Sequence, residues 1–503
     1  MKQKIFALFI LPLFILSCTS RKPLPENVLV IGTETGPSVL DPRFATDAIS
    51  STVCGLIYPG LLRRDKKLNL EPYLAKSVDQ PDDRTYVIHL REGIKFHSGK
   101  ELTSADVRFT FESILAPDSI SPKKNSFSKI ESIDTPDEHI VIIKLSEVFA
   151  PFLGNLTIGI VPEGADDLTK EPVGAGPFAF SNYERGAELA LKGFDGFIFG
   201  KPKLSGVIFK IIPDETVRML ALKKGDIHLI SNGVTPAVLP WLEEQKNLKI
   251  AMETGTNVSY LGFNMEDEIL KNSNVRKAIG QAIDRDSIIK YLLKNTAVEA
   301  ESIIAESNEF FNPNLRRTAH DPKLAKKLLD DAGFIEKPDG SPRFSLTYKT
   351  SKNPTRKKIA EIIGEQLRQV GIAIEIKSFE WGTFFSDIKS GNFQIYSLTW
   401  VGVADPDIYY YIFHSESLPP DGANRGRYFN TELDSLLTIG RKTVSLERRK
   451  EIYSKVQEMI SNDTPYVHLW FGKNIAVMDR RVQGFEIYPD ESLDSLAGVY
   501  FKE

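Results

Sequence analysis

The segment Leu90–Ile114, LREGIKFHSGKELTSADVRFTFESI, constrains this chain more than any other. A strand ends at Leu90-Arg91, and Gly93 marks a turn. The pair Lys95-Phe96 precedes a second turn at His97-Ser98-Gly99. Leu102 to Asp106 then opens a helix, with Thr103 or Ser104 as its N-cap and Asp106 favourable in the first turn. Val107, Phe109, Phe111 and Ile114 supply the apolar face of that helix. The segment carries no catalytic constellation and no metal-ligand spacing, so it constrains architecture rather than chemistry.

The 503 residues are 42% hydrophobic and 26% charged, an ordinary globular balance. That length is too great for one compact core, so two or three lobes are expected. The net charge of −4, mixed in sign along the chain, gives no electrostatic case for nucleic acid as a partner. Lys2 and Lys4 precede a twelve-residue apolar run, Ile5–Leu16, too short to span a bilayer. The run ends in Ile15-Leu16-Ser17-Cys18, which resembles a bacterial lipobox. That resemblance implies a signal peptide over 1–17, a diacylglycerol on the Cys18 thiol, and a lipidated N-terminus and tether over 18–26. The body of the protein would then be lipid-anchored outside the cytoplasm, on the periplasmic side of an inner or outer membrane. With Cys18 acylated, Cys54 stands alone and no disulfide framework can form. Cys54 lies between Val53 and Leu56-Ile57 and reads as a small buried hydrophobe.

Periodicity gives a coarse map. Val28–Gly32 reads as the first strand, followed by a loop to Arg43. Tyr86–Leu90 and Ile140–Leu145 alternate like strands. Pro172–Phe178, PVGAGPF, is rich in turn residues. Thr216–Lys224 and Pro322–Ala332 read as helices, each stopped by a glycine. The strongest strand–helix–strand pattern is Phe344–Tyr348, Pro354–Val370 and Ile372–Ser378, with Ile359, Ile362, Ile363, Leu367 and Val370 at helical spacing. A helix over Glu447–Ser461 and a strand over Pro465–Trp470 follow. No internal repeat is visible.

The Leu90–Ile114 segment resembles the family 5 extracellular solute-binding proteins, the receptors of peptide- and nickel-type ABC importers. Pro172–Phe178 is similar to that family's GTGPY turn, and the resemblance covers nearly the whole mature chain. It implies an α/β periplasmic binding protein fold of two lobes, the first with an extra subdomain. The first lobe would span 27–259, the second 260–470, and residues 471–503 would return to the first. Chain crossings near Ser259–Gly262 and His468–Phe471 would form the hinge. It also implies a monomer that captures a peptide or related small solute between the lobes and hands it to a membrane permease. Neither turnover nor a cofactor is expected.

The resemblance places much of the pocket lining in Glu380–Asp407. Trp381 and Trp400 match the family's paired tryptophans in sequence and spacing, and tryptophan is a stiff wall with an N–H to donate. Peptide-binding relatives carry an aspartate three residues after the second tryptophan, where it pairs with the ligand's α-ammonium. Here that position is Val403, and the loop runs one residue shorter to Asp405-Pro406. Either Asp405 or Asp407 takes over the anchoring role, or the ligand has no free α-amine, since a buried ammonium facing Val403 would be costly. Glu34 and Thr35 in the first loop are further candidates. So are Arg425 and Arg427 in NRGRYFN, which have the geometry to grip a carboxylate bidentately. Tyr409, Tyr410 and Tyr411 are consecutive, so at most two can share a pocket face.

Enzyme readings find little support. The seven histidines show no HxxxH or HxxEH grouping, and neither GxSxG nor GxxxxGK[ST] occurs. His97 reads as a turn-stabilising residue and no metal site is assigned. The alternative is a nickel-complex or other non-peptide receptor of the same fold, for which His414 is the histidine nearest the shortened loop. A sensor or an enzyme on this scaffold is a further alternative.

Overall fold

The computed structural model describes residues 26–165 and 167–502, so the signal-peptide, lipobox and Cys18 expectations lie outside the described residues. Two long antiparallel strands, Leu248–Phe263 and Tyr466–Asp479, form the spine of the molecule. They pair from Leu248 opposite Asp479 to Gly262 opposite Tyr466, in the middle of an eleven-stranded sheet. On one side the sheet continues through Leu229–Ser231, Val28–Thr33, Gly206–Ile211, Glu188–Gly193 and Phe178–Glu184. On the other side lie Ile395–Trp400, Phe344–Ser351 and Ile372–Phe379. One sheet therefore serves both lobes, and the chain passes between them inside strands rather than through loops.

The two long strands lose register between Thr254 and Val258. The bridging residues turn to other partners. Thr256 N–H donates to the Pro489 carbonyl at 3.2 Å. Asn257 donates to Glu491 at 2.9 Å and accepts the Gly402 N–H at 2.9 Å. The strand expected over Pro465–Trp470 runs on to Asp479 because its burial hardly lapses, with Phe471, Ile475, Ala476, Val477 and Met478 all buried.

In the second lobe, Phe344–Ser351 pairs in parallel with both Ile372–Phe379 and Ile395–Trp400. Helices Pro354–Arg368 and Trp381–Ser390 make the crossovers. The first of these starts where Asn353 caps the Arg356 N–H at 3.0 Å with Pro354 at the first helical position. Ala360, Ile363 and Leu367 bury its inner face. One core, with Leu261, Ile279 and Ile363, covers one face of this half-sheet. Another, with Tyr260, Phe384 and Tyr453, covers the other.

The extra subdomain is a four-stranded antiparallel sheet of Ala75–Asp82, Thr85–Leu90, Ile140–Leu145 and Ile130–Asp137. The helix Ser104–Leu115 packs on it. Thr103 is its N-cap residue, and the buried Asp106 carboxylate accepts the Thr103 N–H at 2.7 Å and the Glu163 N–H at 2.8 Å. The buried face is Val107, Thr110, Phe111 and Ile114. Phe109 departs from the expected face: it packs on the first-lobe core, with the Arg43 guanidinium 5.8 Å from its ring.

His97 joins the two motifs that stand out in the sequence. Its backbone N–H donates to Gly174 O at 2.7 Å, its Nδ1 accepts the Gly174 N–H at 3.3 Å, and its Nε2 lies 3.0 Å from Gly176 O. That pattern fixes the neutral ring with its proton on Nε2. The turn it clamps abuts the helix Ala48–Ile57 so closely that a Cβ on Gly174 would sit 1.9 Å from Ile57 O, and one on Gly176 2.2 Å from Leu56 O. Cys54, on that helix, is buried and unpaired. Among the described residues no helix is long and apolar enough to cross a membrane.

The close approach at Gly174 sets up a matched pair of variants. Gly174→Ala should lower unfolding stability by about 3 kcal/mol. Gly55→Ala, exposed in the abutting helix with nothing within 4 Å of its added Cβ, should raise it by about 0.5–1 kcal/mol. Chemical denaturation of both variants checks the pair. Acid should also act on the fold. Burial depresses His97, His228 and His468, the last to about 3. The folded protein therefore binds fewer protons than the unfolded chain, whose histidines titrate near 6.5. Stability is full above that value and falls as pH drops through it, by about 2 kcal/mol at pH 5 from His468 alone. Denaturation midpoints between pH 7.5 and 5 should show this slope, and His468→Gln should flatten it.

Candidate ligand-binding site

The three parallel strands of the second lobe end side by side at Ser351, Phe379 and Trp400. Open α/β sheets bind ligands beyond the carboxyl ends of such strands. Trp400 is half-buried there. Its ring stacks on Tyr260 at 5.9 Å and 7°, and Tyr411 meets it edge-on at 6.3 Å. Its Nε1–H is buried with no partner. The Arg425 guanidinium lies 4.6 Å from the Trp400 ring centre and 5.3 Å from that of Phe385. Arg425 Nη1 donates to Tyr260 Oη at 3.1 Å, and its buried Nε has no partner.

Trp381 opens the helix Trp381–Ser390 and is half exposed. It stacks on Phe385 at 5.5 Å and 9°, and the Arg356 guanidinium lies 5.7 Å from its ring. Arg356 Nη1 is also buried without a partner. The two expected tryptophans thus belong to one wall, joined through Phe385 and Arg425. Beneath it, Tyr260 stacks on Tyr466 at 4.1 Å and meets Tyr396 edge-on at 5.8 Å. Burial pushes these three hydroxyls well above the usual phenol range and pulls Arg356 below the usual guanidinium value.

The acidic candidates behave differently. Asp405 accepts Arg449 Nη2 at 2.8 Å and Nη1 at 3.2 Å. Asp407 accepts Arg441 Nε at 2.9 Å and Nη2 at 2.8 Å. Burial pushes the Asp407 carboxyl up even with this partner. Asp405 and Arg449 do line a cavity of about 360 Å³ between the extra subdomain and the second lobe, with Arg64, Tyr86 and Glu309. Val403, expected to face the ligand, is instead buried in the second-lobe core. An apolar side chain on the short loop has no reason to stay in water. Of the three tyrosines, Tyr409 is buried with its hydroxyl 2.6 Å from Ser302 Oγ, and only Tyr411 reaches the Trp400 wall. His414 stacks on Tyr410 at 4.2 Å, its Nδ1 accepts the Glu416 N–H at 3.2 Å, and its Nε2 lies 3.4 Å from Thr438 Oγ1. Among the described residues no group of three or more His, Cys, Asp or Glu side chains is placed to hold a metal ion.

On the first lobe, Glu34 and Thr35 are exposed and line a cavity of about 180 Å³ with Thr52, Ser231, Asn232 and Glu491. Glu491 is the residue that Asn257 ties to Gly402, two positions beyond Trp400. The two candidate walls therefore lie on either side of the register break. Arg427 takes a positive φ of 58°, and only Arg425 of the pair joins the aromatic wall. Sequence reading missed Arg356, Phe385 and Tyr260. Arg356 did carry a signal, because a cation in the first turn opposes the helix dipole.

A model of the bacterial extracellular solute-binding proteins, family 5, matches residues 69–418. The chain belongs to this family. It is a family of receptors rather than enzymes, and its members work outside the cytoplasm. The oligopeptide-binding protein AppA of Bacillus subtilis is 29% identical over 94% of this chain and 91% of its own. AppA's structure, solved with a nonapeptide, matches at a TM-score of 0.75 with 27% identity, covering 94% of this chain and 99% of that one. The substrate-binding protein CtaP of Listeria monocytogenes matches at 0.85 with 28% identity, over 95% of this chain and 99% of that one. NikZ of Campylobacter jejuni, solved with Ni(L-His), matches at 0.78 with 26% identity, over 95% and 100%. Relatives at similar distance thus hold ligands of different chemistry, and discrimination has to come from the site.

The pairing of Asp405 predicts what its loss does. Asp405→Ala should destabilise the fold by about 3 kcal/mol, because it strands the buried Arg449. Asp405→Leu combined with Arg449→Leu should restore most of that loss. Thermal unfolding of the single and double variants checks it.

Proposed function

We propose that this chain is the solute receptor of an ABC importer, that peptides are its solute, and that they are captured against the Trp400 wall. One observation carries the reading. A buried indole N–H at the carboxyl end of a parallel strand has no acceptor among the described residues. Such a donor is costly unless something else satisfies it. A peptide brings a row of carbonyls, and AppA, a relative over nearly the full length, has been solved with one. Closure about the Thr254–Val258 break carries the Glu34–Thr35 loop toward Trp400 and encloses the ligand. Glu34 forms no ion pair among the described residues, which leaves it to receive a ligand ammonium in place of Asp405 or Asp407. Cys18, acylated, tethers the monomer at the membrane beside its permease.

A non-peptide solute, such as the metal complex held by NikZ, is the second reading. The engagement of both Asp405 and Asp407 by arginines favours it.

Native mass spectrometry on the chain from Thr19 onward, purified without denaturation, separates the two. A ladder of co-purifying peptide masses is expected. A single non-peptide or metal-containing mass would replace the peptide by another solute. Trp400→Ala should weaken peptide binding about thirtyfold by calorimetry, the loss typical of a buried aromatic anchor.

A further inference from the structure

We infer that Arg356 and Arg425 act together as a subsite for a carboxylate of the ligand. This rests on the proposal that the Trp400 wall is the binding site, and it adds what the ligand must carry.

Buried arginines elsewhere in this protein are answered. Arg285 meets Glu299 and Glu301, Arg343 meets Asp330 and Glu336, and Arg449 meets Asp405. Arg218 and Arg276 are held by backbone carbonyls. Arg425, only 8% exposed, and the half-buried Arg356 are answered by neither. Among the described residues no carboxylate comes within ion-pair distance of either guanidinium. Arg425 makes a single side-chain hydrogen bond, to the Tyr260 hydroxyl, and the Arg356 side chain makes none. The carboxylates on adjoining elements are taken, Glu380 by Lys352 at 2.8 Å and Asp387 by Lys349 at 2.7 Å.

A guanidinium keeps its charge in any protein environment. Burying it unpaired is costly, and the protein offsets that cost only in part, with ring faces. Trp400, Phe385 and Trp381 cradle the two cations at 4.6, 5.3 and 5.7 Å. Ring faces hold the charge but offer no oxygen to the N–H edges. Arg425 Nε, Arg356 Nη1 and Trp400 Nε1 therefore remain three buried donors without an acceptor around one wall. Arg356 also stands in the first turn of the fifteen-residue helix Pro354–Arg368, where the helix end adds positive potential. A bound carboxylate supplies the missing charge and the missing oxygens together, and its planar fork suits arginine. In a peptide it is the C-terminus or an acidic side chain; in another solute it is a free acid group.

Competition binding with three probes tests this on the full mature chain, stripped of co-purified ligand. The probes are a tetrapeptide library with free C-terminal acids, the same library as C-terminal amides, and a panel of small non-peptide carboxylic acids. Wild type should bind the acid library about tenfold to a hundredfold more tightly than the amides. Arg356→Met and Arg425→Met should each remove that preference, bringing the ratio of acid to amide affinity close to one. Arg356 is outside the packed core, so its variant reports even if Arg425→Met fails to fold. Binding of the carboxylic acid panel but neither library, lost in Arg356→Met, would uphold the subsite and remove the peptide reading. Equal binding of acids and amides, or a preference that survives Arg356→Met, would overturn the subsite and leave the peptide reading standing. Binding of none of the three probes would overturn both.

Discussion

Everything in this protein hangs on the antiparallel pairing of Leu248–Phe263 with Tyr466–Asp479. The sheet extends outward from this pair through Leu229–Ser231 on one side and Ile395–Trp400 on the other, so the two strands are at once part of each lobe and the link between them. A loop hinge would let the lobes move apart freely. A strand pair resists that except where its ladder is interrupted, over Thr254–Val258 and again between Ser259 and Tyr260. At the first of these the backbone bonds to Pro489 and, through Asn257, to Glu491 and Gly402. That interruption therefore lies beside the loop that follows Trp400.

The second lobe treats its acids and its cations differently. Its acids are engaged by the protein itself: Asp405 and Asp407 each receive two arginine N–H groups from helices behind the loop. Its cations Arg356 and Arg425, by contrast, are set against aromatic rings. This ordering inverts what the family resemblance implies, in which a carboxylate on the Trp400 loop would receive an amine. On the loop after Trp400, Val403 lies in the core and the two aspartates pair with Arg449 and Arg441.

Much of this is legible in the sequence. The strand–helix–strand pattern over 344–378 matches the parallel pair to within a few residues, because Ile363 and Leu367 sit at helical spacing and Asn353-Pro354 announces the start. His97 reads as a turn residue, and it clamps the Gly174–Gly176 turn. Sequence reasoning fails where tertiary context decides. Phe109 fits the apolar stripe of its helix, yet it packs on a core that only the folded chain brings near. The strand expected to end at Trp470 runs nine residues further in the fold, to Asp479, because a fully buried strand has no alternation to mark its length. Arg356 looks like a surface residue of an amphipathic helix, and its lack of a partner is visible only in three dimensions.

A crystal structure of the mature protein with its co-purified solute would decide whether the Trp400 wall and the strand break work as one device. Ligand density is expected against Trp400, Trp381 and Arg425, with the lobes rotated together about Thr254–Val258. Density confined elsewhere, such as the cavity of about 750 Å³ lined by Glu253, Val298, Phe471 and Phe485, would refute that coupling. So would a ligand at Trp400 with the two long strands unbent.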